Sequence, residues 1–240
     1  MDTLLQGIVI HTLRYNDKSV ICKIFTESLG MKTFLVRTGT SPKRSIVPLL
    51  QPMNMVEFQS HLKENGALCS AKEFRLFYNY KRVPFDPIAG SIALFVDEVL
   101  YKTIHDDYQN SDLYALVLRA MHTLDSAEKL THFPIWFLLE LSREYGFYPQ
   151  QDSADLTIFD SAEGCFVHRT EPCALPLTAE VSAALALYLE QPFSVLQDLR
   201  IQASIRKQLL DDLVRYLQRH LENLRNIQSL AILHEVFHAP

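Results

Sequence analysis

The sequence predicts a two-part α+β protein, a five-stranded β-barrel over residues 1–82 followed by an all-α domain over residues 83–240. Three observations carry this. Residues 7–78 hold five short runs rich in β-branched and aromatic residues. After Val83-Pro84-Phe85-Asp86-Pro87 the apolar pattern takes on a helical period. Charge changes at the same place: the first 82 residues hold 12 Lys and Arg against 6 Asp and Glu, whereas the rest hold 11 against 22. A basic part with net charge +6 joined to an acidic part with net charge −11 suggests two domains with different partners, the first a polyanion.

The expected strands are Gly7–Tyr15, Ser19–Thr26, Met31–Thr38, Met53–Ser60 and Leu68–Tyr78. Asn16-Asp17, Leu29-Gly30 and Lys63-Glu64-Asn65-Gly66 are turn material between them. Within the third run Thr33, Leu35 and Arg37 point one way, and Lys32, Phe34 and Val36 the other. Five strands suit a small closed barrel such as an OB-fold; an SH3-like barrel fits the same pattern, and periodicity alone does not choose.

Beyond Pro87, Ile92, Phe95, Val96, Val99 and Leu100 form one stripe of a helix running to Ile104. Ser111 is placed to cap the next helix, which turns Leu113, Leu116, Val117, Ala120 and Leu124 inward. Pro134 opens a third helix that stops at Tyr145-Gly146. Residues 147–177 are irregular, with a hairpin expected around Ala162-Glu163-Gly164. Thr178 opens a helix to Leu189, the longest helix spans Ala203–Leu224, and a short one covers Ser229–Phe237.

Composition limits the chemistry. With 48% hydrophobic residues the chain is too apolar for disorder, and with 7 glycines it lacks the Gly-rich loops that cradle nucleotides. There is no run of 18 apolar residues, and the start lacks the basic and apolar regions of a signal peptide. Cys22, Cys69, Cys165 and Cys173 are scattered and read as buried, reduced thiols. A cytoplasmic protein without a membrane partner is therefore expected.

Enzyme signals are sparse. His234-Glu235-Val236-Phe237-His238 matches H-E-x-x-H, the zinc-hydrolase helix, and Glu163-Gly164-Cys165 is similar to the Glu-Gly-Cys of peptide deformylases. Two alternative readings follow, another OB-type nucleic-acid or protein-interaction module and, with less support, a metallohydrolase using His234, Glu235 and His238. Against it, only two residues follow His238, no third ligand lies downstream, and the deformylase Gly-rich motif is absent. The acidic pairs Asp97-Glu98, Asp106-Asp107 and Asp211-Asp212 are adjacent residues whose side chains diverge on a helix, so solvated faces are expected. The sequence predicts no catalytic residue, no metal and no cofactor.

Basic residues in the first part carry more. Gly39-Thr40-Ser41-Pro42-Lys43-Arg44-Ser45 is a turn-rich loop whose cations and hydroxyls suit phosphate oxygens. Arg14, Lys18, Lys32 and Arg37, at strand ends, would extend this DNA-binding patch. Tyr15 and Phe34 offer rings for base stacking, with core or rim packing as the competing role.

The order of these elements resembles the RecO family of DNA repair proteins, recombination mediators. The matching residues include Gly7-Ile8-Val9, Tyr15, Asp17, Gly30, Lys43-Arg44-Ser45 and Leu50-Gln51-Pro52 in the first part. In the second they include Glu98-Val99-Leu100-Tyr101-Lys102, Leu124-Asp125, Gly146-Phe147-Tyr148-Pro149, Gly164-Cys165-Phe166, Arg206, Leu209-Leu210, Tyr216 and His220-Leu221. The resemblance spans nearly the whole chain. It implies an N-terminal OB-fold, a helical C-terminal domain, and binding to single- and double-stranded DNA. It further implies strand annealing and, with RecR, loading of RecA onto strands coated by the single-stranded DNA-binding protein (SSB). Some members carry a four-Cys zinc site after the Gly-Phe-x-Pro motif; Cys165 and Cys173 alone cannot close one. The resemblance also suggests that the helical domain binds the C-terminal tail of SSB, acidic and ending in an apolar residue. Arg143, Arg206 and Lys207, on helices beside apolar stripes, are the candidates; Arg215 and Arg219 share a helical row with Asp211.

Overall fold

A computed structural model describes residues 2–38, 46–61, 68–106 and 109–238. Strands β1 (Asp2–Asn16), β2 (Ser19–Thr26), β3 (Gly30–Arg37), β4 (Met55–His61) and β5 (Cys69–Leu76) close into a barrel in the order β1-β2-β3-β5-β4. All neighbours are antiparallel except β3 and β5, which run parallel. This five-stranded arrangement is the OB-type barrel. β1 is longer than its β-branched stretch suggested: Asp2 to Ile8 pair with β4, and Gly7 to Asn16 pair with β2. A register shift between Val9 and His11 lets the long strand serve both partners. β5 stops at Leu76, before the expected Tyr78. The turn foreseen at residues 63–66 lies outside the described residues.

The barrel interior holds Val9, Val20, Cys22, Ile24, Phe34, Val36, Val56 and Phe58, with Phe58 stacked on Phe74. The opposite side of the same strands is not all solvent-facing. Ile8, Ile10, Phe25, Met31, Met53 and Met55 are buried in one continuous core with the helices. A 3-10 turn at Val47–Leu50, not foreseen in the sequence, seals one barrel end with Leu50.

Helix α1 (Pro87–Thr103) begins where Asp86 accepts hydrogen bonds from the Ile88 and Ala89 amides. α2 (Ser111–Ser126) is capped by Asn110 rather than Ser111: the Asn110 side chain accepts from Leu113 N at 2.9 Å, and Ser111 is already helical. α3 (Phe133–Glu144) ends at Gly146, whose φ of +81° is the left-handed stop that glycine adopts without strain. The foreseen hairpin is β6 (Ile158–Asp160) with β7 (Cys165–Val167). α4 (Ala179–Tyr188) follows the Thr178 cap, and α5 (Phe193–Leu196) is a short turn that the sequence pattern did not show. α6 (Ala203–His220) ends four residues before the expected Leu224, which is buried after the helix has turned away. α7 (Ser229–His238) packs along α1.

Three acids expected in solvent or given no role are drawn into the packing, and two of them, Glu98 and Asp125, hold this arrangement together. Glu98 accepts from Gln228 N, Ser229 N and Ser229 Oγ, capping α7 from the side of α1, while Lys102 donates to the carbonyls of Arg225 and Asn226. Burial works against its charge, but Lys102 and the Ser229 and Gln228 donors outweigh it and bring the carboxyl down to about 2. Asp97, one residue earlier, has a buried Oδ1 without a partner; burial, then the Glu98 charge, push it up to about 8. The expectation of a solvated pair fails because α1 is covered on both flanks. Asp125, at the end of α2, gathers the amides of Lys81, Arg82 and Val83 and the Tyr78 hydroxyl, fastening the chain between barrel and helices. The thiols also differ from expectation: Cys22 is buried and pushed up to about 11 by that burial, whereas Cys69, Cys165 and Cys173 are half-buried.

Candidate nucleic-acid interface and peptide pocket

The cations foreseen for DNA divide between the two barrel ends. Arg14 faces Val20 across the β1–β2 pair, Arg37 faces Ser19, and the Thr38 amide bonds to the Lys18 carbonyl, so these three residues share one end. Arg14 is paired with Asp17 at 2.6 Å, both side chains largely in solvent, an arrangement worth little in water. Lys32 sits opposite Ile24 at the other end of β3, about 17 Å from Arg37 at the usual rise per residue. Its neighbours Phe34 and Val36 are buried inside the barrel, so strand register separates Lys32 from the group. Lys43 and Arg44 lie outside the described residues; the chain enters their segment from Thr38, beside Lys18.

The outer face of β1–β2–β3 leads from the helices toward this basic end. Next to the seam, His11, Lys23 and Thr33 lie in register; the His11 ring is 5.1 Å from Tyr101 of α1, and Lys23 bonds to Asp106 at 3.1 Å. One step further comes the row Leu13–Ile21–Leu35, with Leu13 57% exposed. Tyr15, 63% exposed, stands beyond it, while Phe34 is fully buried against Phe58 and offers no ring to a base. The sequence pattern had not singled out His11, Leu13, Ile21 or Lys23. Their common face depends on register across three strands.

Of the cations foreseen for a peptide, Arg143 opens onto a cavity of about 550 Å³ between α2, α3 and the 190–197 segment. Trp136, Pro192 and Phe193 line it, as does Arg119, which shares the Glu140 carboxylate with Arg143. Arg143 lies over the Tyr148 ring at 3.7 Å and pairs with Glu190 at 3.0 Å; Arg119 reaches Glu140 at 3.4 Å. Arg206 and Lys207 instead border a space of about 20 Å³ beside Pro134, Ile135, Leu210 and Phe237. Arg206 donates to the Ile201 carbonyl, and Lys207 pairs with Asp211 at 3.4 Å. Arg215 pairs with Asp212, and Arg219 donates to Ser161. Arg119 was not singled out in the sequence, because nothing local links it to Arg143.

The H-E-x-x-H helix is α7. His234 Nε2 meets Asp211 Oδ1 of α6 at 2.7 Å, a contact between helices rather than with a ligand set. The His238 side chain lies outside the described residues. Among the described residues no group of three or more His, Cys, Asp or Glu is arranged to hold a metal ion, and no helix is long and apolar enough to cross a membrane.

An OB-type barrel with a basic end, sharing one core with a helical domain, belongs to the class of OB-fold nucleic-acid-binding proteins. Comparison with known proteins makes this specific. Residues 1–80 match the family model "Recombination protein O N terminal" and residues 84–229 match "Recombination protein O C terminal". The DNA repair protein RecO of Phocaeicola vulgatus is 30% identical over 234 residues, covering 96% of this chain and 97% of that protein. The RecO protein of Flavobacterium psychrophilum is 29% identical over 241 residues, 99% of this chain and all of its relative. The chain belongs to the RecO family, and its role is in DNA repair by recombination.

Proposed function

We propose that this protein works without catalysis, as a mediator that binds single- and double-stranded DNA, anneals complementary strands and, with RecR, helps load RecA onto SSB-coated DNA. The observation that carries the DNA reading is the convergence of Arg14, Lys18 and Arg37 at one barrel end, where the Lys43-Arg44 segment begins. Phosphates would meet these cations, and the Leu13–Ile21–Leu35 row with Tyr15 would take the bases or sugars. The acidic helical part, with net charge −11, brings the whole chain to −5, so affinity should be modest and sensitive to salt. In the full chain, Lys43→Ala with Arg44→Ala should weaken binding alike across DNA sequences. It should also flatten the salt dependence, by about one unit of slope for each phosphate no longer held. An unchanged affinity and slope would refute the assignment.

The helical domain, on this proposal, receives the SSB tail. Arg143 is the best placed of the three candidates, because its cavity combines an apolar lining with two guanidinium groups. An apolar last residue would lie on Trp136 and Phe193 while its carboxylates meet Arg143 and Arg119. The space beside Arg206 and Lys207 is too small for a side chain without movement of α7.

A further inference from the structure

We propose that Glu190 is a built-in competitor, a carboxylate of the chain itself that occupies the anion position of the Arg143 pocket and sets how tightly an acidic tail binds there. The inference rests on the tail reading above and adds its regulation.

The Arg143 guanidinium sits over the Tyr148 ring, its central carbon 3.7 Å from the ring centre, a contact that restricts where its donors point. One of them, Nη2, donates to Glu190 Oε1 at 3.0 Å, as it would to an incoming carboxylate. The Glu190 side chain is 71% exposed, so burial does not hold it there and it is open to displacement. Glu140 differs: it is largely covered, lies between Arg119 at 3.4 Å and Arg143 at 3.8 Å, and belongs to the fixed frame.

The backbone of Glu190 points to the same role. Its φ is +56°, the left-handed region that disfavours a side chain, at the end of α4 where glycine or asparagine is the usual residue. The strained backbone is tied to the site, since the Glu190 amide donates to the Tyr148 hydroxyl at 2.9 Å. One ring therefore positions both the arginine and its internal partner. An acidic tail must displace the Glu190 carboxylate and then bind beside its charge. Each effect weakens binding and favours release, as suits a partner that must be handed on.

The test uses the full-length protein and a labelled peptide, acidic and ending in an apolar residue with a free carboxylate, followed by fluorescence anisotropy. Glu190→Gln and Glu190→Asn should each bind about five- to tenfold more tightly than the parent, the scale of an exposed ion pair plus one relieved repulsion. Asparagine tolerates the left-handed backbone, so a folded protein is expected, checked by circular dichroism. Arg143→Met should abolish binding in either background. If the Glu190 variants bind like the parent while Arg143→Met abolishes binding, the tail site stands and the competitor is refuted. If the peptide binds parent and Arg143→Met alike, or binds neither, the tail reading falls and this inference falls with it.

Discussion

Replacing Asp125 by alanine should loosen the junction of barrel and helices far more than replacing it by asparagine. Oδ1 accepts from the amides of Lys81 at 3.1 Å, Arg82 at 2.8 Å and Val83 at 3.1 Å, while Oδ2 accepts from Tyr78 Oη and Lys81 N, both at 2.9 Å. Alanine leaves three amides and a phenol without their charged acceptor. A hydrogen bond to a charged group is worth about 1.5–3 kcal/mol, and water entering the vacated space recovers part, so a loss of about 3–5 kcal/mol follows. For a chain of this length that lowers the melting temperature by about 6–15 °C. In asparagine the carbonyl can take the Oδ1 place and keep its three amides, while the side-chain NH2 donates to Tyr78, whose hydroxyl turns to accept; Lys81 N loses its second acceptor and faces that NH2, so the cost is about 1–2 kcal/mol. Thermal unfolding followed by circular dichroism measures both. Trypsin adds a local reading, because Lys81 and Arg82 lie in the clamped segment and should be cut sooner in Asp125→Ala. Equal damage from the two substitutions, or an alanine variant within about 1 kcal/mol of the parent, would refute the reasoning.

Two acids of α1 give opposite pH behaviour. The folded pKa of Glu98 is about 2, below its ordinary 4.5, so its contribution is fully present above pH 4.5 and is lost as pH falls toward 2. Glu98→Gln should destabilise at pH 7 by up to about 3 kcal/mol and flatten the acid limb of a urea-stability profile; an unchanged limb counts against the α7 cap. Asp97 is raised to about 8, so the unfolded chain ionises first and stability falls as pH rises from 3.8 toward 8. Asp97→Asn should therefore stabilise at pH 8 by about 1–3 kcal/mol and change little at pH 4; a loss at pH 8 would show that the unpartnered oxygen has an acceptor role after all.

Alternation and β-branching marked all five strands because a strand half buried in a barrel repeats every two residues. The ends of β1 were less legible: Asp2 to Gln6 hold no local pattern, and β4 alone makes them a strand. The stop of α6 was missed because Leu221 and Leu224 continue the apolar row after the helix has turned. Charge marked the first part as basic, yet only its position along β3 separates Lys32 from Arg14, Lys18 and Arg37. The cavity beside Arg143 was the least legible. Arg119, Arg143 and Glu190 come from three segments far apart in sequence, and the left-handed backbone at Glu190 has no signature in a glutamate.

The shared core bears on whether the barrel can act alone. Ile8, Ile10, Phe25, Met31, Met53 and Met55 are no more than 3% exposed, and all belong to the core they form with the helices. Fully burying such side chains contributes about 1.5–3 kcal/mol each, so the six together contribute on the order of 10 kcal/mol. That matches the whole stability of a typical domain, about 5–15 kcal/mol. A fragment of residues 1–82 should therefore expose a broad apolar face, bind a hydrophobic dye and unfold without a sharp transition. A fragment melting cooperatively within about 5 °C of the full chain would show that the barrel core suffices. If the fragment fails as expected, the barrel's fold depends on the helices, and loss of repair in helical-domain variants must be separated from loss of fold before it is assigned to a partner's docking.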